Sequence, residues 1–216
     1  MCWNQYVSIN TFVFSVFVLL LIMYNNKYSP YKIKELDNIY AYIFLMSFFT
    51  MQLIEFFLWR NLDNKELNKI FSILGAFLLL LQPIASLMLL KEITLRNTML
   101  MLYILPTFSY FIYEVTNRNF FTSVSKNGHL QWNWVDIKGN KQILFMCWLF
   151  FLFFSIFYNK HYLGLAYTIV LLIITTYSYM KDGSFGSLWC WSINSLMIFY
   201  AIKLLVLIPY REHGIC

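Results

Sequence analysis

Seven apolar runs dominate the chain, over residues 7–24, 39–59, 70–90, 99–113, 142–158, 162–180 and 188–209. A helix rises about 1.5 Å per residue, so each run approaches or reaches the roughly 30 Å of a bilayer's hydrocarbon. Backbone groups find no water at that depth, and a run that crosses must be helical. The pattern predicts an all-α membrane protein. Its seven transmembrane helices form one bundle, a single polytopic domain over 1–216 whose shortest span is 99–113.

Composition agrees. Charged residues are 12% of the chain and hydrophobic residues 60%, against about 25% charged in an ordinary soluble domain. Mean hydropathy is +0.61. The formal net charge of +6 is scattered over short loops and forms no basic block, which argues against a nucleic-acid partner. No basic segment or A-x-A-like site flanks the first run, so that run is expected to act as an uncleaved signal.

Cysteines Cys2, Cys147, Cys190 and Cys216 show no C-x-x-C spacing, and His129, His161 and His213 all fall in expected loops or tails. That is too sparse for the usual zinc site, and neither metal nor cofactor is expected. Ser47, Ser192 and Ser195 have no histidine nearby in sequence, so no nucleophile with its base, and no catalytic residue, is assigned.

The long loop is 114–141. In it, Phe120 to Ser125 and His129 to Val135 flank Lys126-Asn127-Gly128. Asn-Gly between two strand-like runs signals a β-hairpin, here between the fourth and fifth helices. Leu130, Trp132 and Trp134 alternate onto one of its faces, suited to the mouth of the bundle or to lipid headgroups.

Basic residues divide almost evenly between the two sides of the expected bundle. The first span therefore decides orientation, and basic residues follow it rather than precede it. The N-terminus is expected outside or in a lumen, and the C-terminus in the cytosol.

Polar residues inside the runs mark the candidate site. Gln52 and Glu55, three apart, share one helix stripe. An acid in hydrocarbon costs about 2.5–3.5 kcal/mol on insertion scales and normally faces protein or a wet cavity. Counted from the N-terminal side at the helical rise, Asn10, Glu55, Asn194 and Gln52 lie roughly 5–10 Å deep. The four suggest a shallow ligand-binding pocket on that side, with Glu55 close to Asn194. The alternative role is interhelical glue. Lys203 and Gln82, beside Pro83, form a possible second polar spot near the other side. Cys2 and Cys190 share one face at the ends of the first and last spans, where a disulfide can form in an oxidising compartment.

Two resemblances add expectations. Met1-Cys2-Trp3-Asn4 and Trp189-Cys190-Trp191-Ser192-Ile193-Asn194 resemble a multi-pass membrane family of large DNA viruses and some algae, to which no activity is attached. Met51-Gln52-Leu53-Ile54-Glu55 and the late Trp-rich helix resemble the alkaline ceramidase superfamily, membrane hydrolases with seven spans. Glu55 takes the place of that pattern's acid. Phe44, Gly186 and Cys190 stand where its histidines belong, so this resemblance implies the architecture without the zinc chemistry.

The expected function is that of a non-catalytic transporter, channel or receptor-like binder of a small or lipid-like ligand in the bilayer. The alternatives are a relative of the membrane-embedded lipid hydrolases and a structural membrane protein that binds partner proteins.

Overall fold

A computed structural model describes residues 4–135 and 141–209. Among them, seven helical units are long and apolar enough to cross a membrane. Helix α1 covers Gln5–Tyr28, α2 Ile39–Arg60, α3 Lys65–Leu87 and α4 Ile93–Asn117. After the hairpin come α5, Lys141–Tyr158, and α6, Tyr162–Tyr179. The seventh unit is interrupted: α7, Phe185–Ile193, then α8, Ser195–Ile202, then a π-helical turn, Lys203–Leu207. A 3-10 turn, Lys34–Leu36, precedes α2. The face where α1 begins is called here the near face, and the opposite one the far face.

Each expected run lies largely on a helix, and the main difference of extent is in α4. Helix α4 has 25 residues, well beyond 99–113, because the polar segments at both ends of that run continue the helix. The loop expected over 114–141 is shortened accordingly, and Glu114 and Lys141 become helical residues.

Asparagines set several starts. Asn4 accepts from the amides of Tyr6 and Val7, Asn38 from Tyr40, and Asn64 from Leu67, which satisfies donors that the first helical turn cannot. Helices α5 and α6 meet in a tight turn closed by Lys160 N to Phe157 O at 3.0 Å and His161 N to Ile156 O at 3.0 Å. This is the Schellman pattern, with Lys160 at φ +61° in the position glycine usually takes.

Helices α2 and α3 are the centre: 56% and 50% of their most apolar windows are buried, against 6% for α6. Helix α6 buries Thr175 and turns Leu163 and Tyr177 outward, 90% and 92% exposed. Its polar side is in and its apolar side out, the reverse of a helix on a water-soluble domain.

The hairpin forms. Strand β1, Thr122–Val124, pairs antiparallel with β2, Leu130–Trp132, placing Thr122 opposite Trp132. Ser125 N donates to His129 O at 2.7 Å, and Gly128 takes φ +77° in the turn. Leu130, Trp132 and Trp134 are all buried. The hairpin is seated in the near face of the bundle and does not lie over it.

Candidate ligand-binding cavity

Helix α3 fixes the hairpin from below. Asn68, in its first turns, treats Thr122 as a strand neighbour: Nδ2 donates to Thr122 O at 2.9 Å, and Oδ1 accepts from Thr122 N at 2.8 Å. One helical turn on, Ser72 Oγ lies 2.8 Å from Thr122 Oγ1. The indole of Trp134 donates to that same Oγ1 at 3.3 Å. Trp132 and Trp134 then stack, ring centres 5.1 Å apart. Trp132 presses on Gly186 of α7, where a Cβ would stand only 2.9 Å from its ring.

Beneath this aromatic floor lies a cavity of about 450 Å³, bounded by α3, α4, α5, α7 and the hairpin. Its back wall includes Ala76, Trp132, Trp189 and Cys190, all buried. Its flanks include Leu102 and Pro106 on α4 and Leu144 and Cys147 on α5, all exposed. A chamber with a closed back and exposed flanks is a slot open sideways between α4 and α5.

The slot has a frame. Towards the far face, Tyr103 and Phe151 close it with ring centres 5.1 Å apart, and the Tyr103 hydroxyl donates to Leu80 O at 3.1 Å. Towards the near face, Lys141 Nζ on α5 reaches Glu114 Oε2 on α4 at 3.4 Å. Arg118 Nη1 holds the same oxygen at 2.7 Å. Both α4 and α5 pack mainly on α3, and between the two ends of the frame they part. Pro106 lies in the parted section of α4, where it removes one rung of the hydrogen-bond ladder.

The polar residues read from the sequence sit elsewhere. Glu55 and Gln52 are completely buried, and Gln52 Nε2 donates to Glu55 Oε2 at 3.0 Å. Helix α2 packs on α7, where Phe48 meets Trp189 edge to face at 6.3 Å, and the Gln52–Glu55 pair lies in the buried interior, outside the lining of the slot. Asn194 occupies the break between α7 and α8. Its Oδ1 accepts from Ser15 Oγ at 2.9 Å, and its Nδ2 donates to Cys190 O at 2.8 Å.

Asn10 does not join them. It shares their depth but lies on the exposed face of α1, and it is Thr11 and Ser15 that bond the seventh helical unit, at Trp191 of α7 and at Asn194 in the break. The phase was legible: Ser8, Ser15 and Ile22, seven apart, are the completely buried residues of α1, a stripe of period 3.5. The second polar spot also divides. Gln82 Nε2 points to Ser47 O on α2 at 3.5 Å, whereas Lys203 Nζ leaves the bundle to bond Glu35 Oε1 at 2.8 Å. Burial on its own raises the pKa of Glu35, but the Lys203 hydrogen bond and charge more than offset this and hold the carboxyl below its ordinary value. Of the expected disulfide, Cys2 lies outside the described residues, and Cys190 is a free, buried thiol.

The ceramidase-type zinc set does not fit this chain. Phe44 and Gly186 carry no donor atom, and among the described residues no group of three His, Cys, Asp or Glu side chains is placed to hold a metal.

The three charged residues of the cavity, Glu114, Arg118 and Lys141, escaped the sequence reading because they lie at the ends of helices that outrun their apolar cores. No protein-family model matches the chain, and no curated protein or solved structure matches it either.

Proposed function

We propose that the protein is an integral multi-pass membrane protein that binds a lipid-like ligand in the slot between α4 and α5, without catalysing its conversion. The observation that carries this reading is the slot itself. It has apolar walls, exposed flanks at mid-helix, and charge gathered at one end only. In a bilayer those flanks face acyl chains, so a ligand enters sideways without passing through water. A volume of about 450 Å³ lies within the roughly 300–1,000 Å³ of small-molecule sites.

In this reading the outward apolar faces of α4, α5 and α6 contact lipid, and Gln52, Glu55 and Asn194 are polar members of the helix packing that support the back wall. The near face is outside or lumenal, following the first span. The kinship suggested by Met51 to Glu55 concerns architecture alone.

Native mass spectrometry of the detergent-extracted protein tests this. The expected spectrum carries a co-purified amphiphile that Cys147→Trp, which fills the slot from its exposed flank, removes while the protein stays folded. A wild-type spectrum without bound amphiphile, both as extracted and after incubation with single-chain lipids, contradicts the proposal and favours a structural role.

A further inference from the structure

We infer that the slot selects a lipid bearing a hydroxyl group, and that this hydroxyl donates to the Leu102 carbonyl at the slot's closed end. The inference rests on the lipid-binding reading of the slot and adds the chemistry of the group that is recognised.

Two prolines carry the argument. Each lacks the N–H that would bond the carbonyl four residues earlier in its helix. In α3, Pro83 leaves Leu79 O without that rung, and the indole of Trp148 on α5 takes its place at 2.8 Å. In α4, Pro106 leaves Leu102 O without its rung in the same way. The side-chain donors at this end of the slot go elsewhere. The Tyr103 hydroxyl donates to Leu80 O at 3.1 Å, the Thr107 hydroxyl to Tyr103 O, and Trp148 is committed to Leu79 O.

Leu102 and Pro106 both line the slot, so the carbonyl that lies between them belongs to its wall. Helix α4 runs from the far face to the near face, and helical carbonyls point along the chain direction. Leu102 O is therefore directed along the slot, away from the Tyr103–Phe151 closure and towards the rim.

The closed end thus offers acceptors and no spare side-chain donor. Besides Leu102 O, the oxygens of Thr107 and Tyr103 keep lone pairs after donating. An alcohol supplies the missing donor. A ketone or ether of the same shape brings one more acceptor and leaves the carbonyl unpaired where there is no water. The charged rim takes no part in this recognition, since Arg118 and Lys141 both engage Glu114. The apolar walls hold a hydrocarbon chain whatever its head, and the hydroxyl adds selectivity.

The test uses the full chain in a nonionic detergent and its own fluorescence, since Trp148 and Trp189 line the cavity. Stearyl alcohol, its methyl ether and the corresponding methyl ketone, each brominated at mid-chain, are titrated separately, bromine quenching tryptophan on contact. The alcohol is expected to bind about tenfold tighter than the other two, the scale of one hydrogen bond left unmade in an apolar site. Pro106→Ala restores the N–H, pairs Leu102 O within the helix, and should bring the alcohol down to the affinity of the ether. Thr107→Ala leaves Pro106 in place and should keep the preference for alcohol.

Equal affinity for alcohol, ether and ketone in the unsubstituted protein overturns the hydroxyl assignment and leaves the slot standing. A preference that survives Pro106→Ala, or one that Thr107→Ala removes, overturns the Leu102 carbonyl as the acceptor. No quenching by any of the three overturns the lipid-binding reading itself.

Discussion

Asn68 and Thr122 bond each other twice, the Asn68 side-chain amide donating to and accepting from the Thr122 backbone at 2.9 and 2.8 Å. A helix side chain thereby continues a β-ladder and ties the hairpin to α3. Replacing Asn68 with Leu leaves a buried N–H and C=O without these partners, at about 1–3 kcal/mol each. Asn68→Leu should lower thermal stability markedly and speed hydrogen exchange of the Thr122 to Trp132 amides before the rest of the bundle is affected. Exchange mass spectrometry checks the order.

Two glycines make opposite predictions. At Gly186 a Cβ would approach the Trp132 ring to 2.9 Å, whereas at Gly75 it would meet the Trp134 ring at an ordinary 3.4 Å. Gly186→Ala should shift Trp132 and cost about 1–3 kcal/mol through overpacking. Gly75→Ala should be neutral or stabilise α3 by about 0.5–1 kcal/mol, the usual gain of alanine over glycine in a helix. Thermal melts of the two variants in one detergent decide it.

Lys160 bears φ +61° at the α5–α6 turn. Glycine adopts that conformation without a Cβ clash. Lys160→Gly should raise stability by about 1 kcal/mol, the scale of a left-handed residue relieved, whereas Lys160→Val should lower it. A paired melting comparison reads both signs.

The Lys203–Glu35 pair links the end of the last helix to the turn before α2. The lowered pKa of Glu35 means that the folded chain binds the proton more weakly than the unfolded chain. The contribution is thus present above the ordinary carboxyl range and is lost as pH falls through and below it. Both side chains are partly exposed, 27% and 47%, so the effect is at most about 1 kcal/mol and weakens in salt. Glu35→Gln should flatten this acid limb of the stability profile, measured by melting from neutral pH down through and below the ordinary carboxyl range. An unchanged limb contradicts the assignment.

Much of the fold was legible because hydrophobic length and turn chemistry are local. The seven runs each mark a helix, and Asn127-Gly128 marks the turn, since Gly128 supplies the positive φ that its hairpin needs. Gln52 and Glu55 were legible as a pair because three residues bring side chains onto one helix face. Asn10 shows the limit. Counting rise gives depth, but only rotation about the helix axis gives facing, and Asn10 is rotated outward while Ser15 faces Asn194. The slot was not legible at all. It depends on where α4 and α5 part and on Trp132 and Trp134 seating against glycines far away in sequence. Glu114 and Lys141 looked like loop residues because a hydropathy window ends where charge begins, although the helices continue, and Arg118 follows directly on the last residue of α4.

The central claim is that a lipid-like ligand occupies the slot between α4 and α5. Photo-crosslinking tests it most directly, with a diazirine placed midway along a single-chain fatty acid, the protein in bilayer nanodiscs, and adducts mapped by peptide mass spectrometry. The account predicts adducts concentrated on the slot, at Leu144, Cys147 and Phe151 of α5 and Pro106 and Tyr110 of α4, and suppressed by an excess of unlabelled acid. Adducts spread over outward residues such as Leu163, Val170 and Ile173 of α6, at a level equal to the slot and not competed, would mean ordinary lipid contact and contradict it.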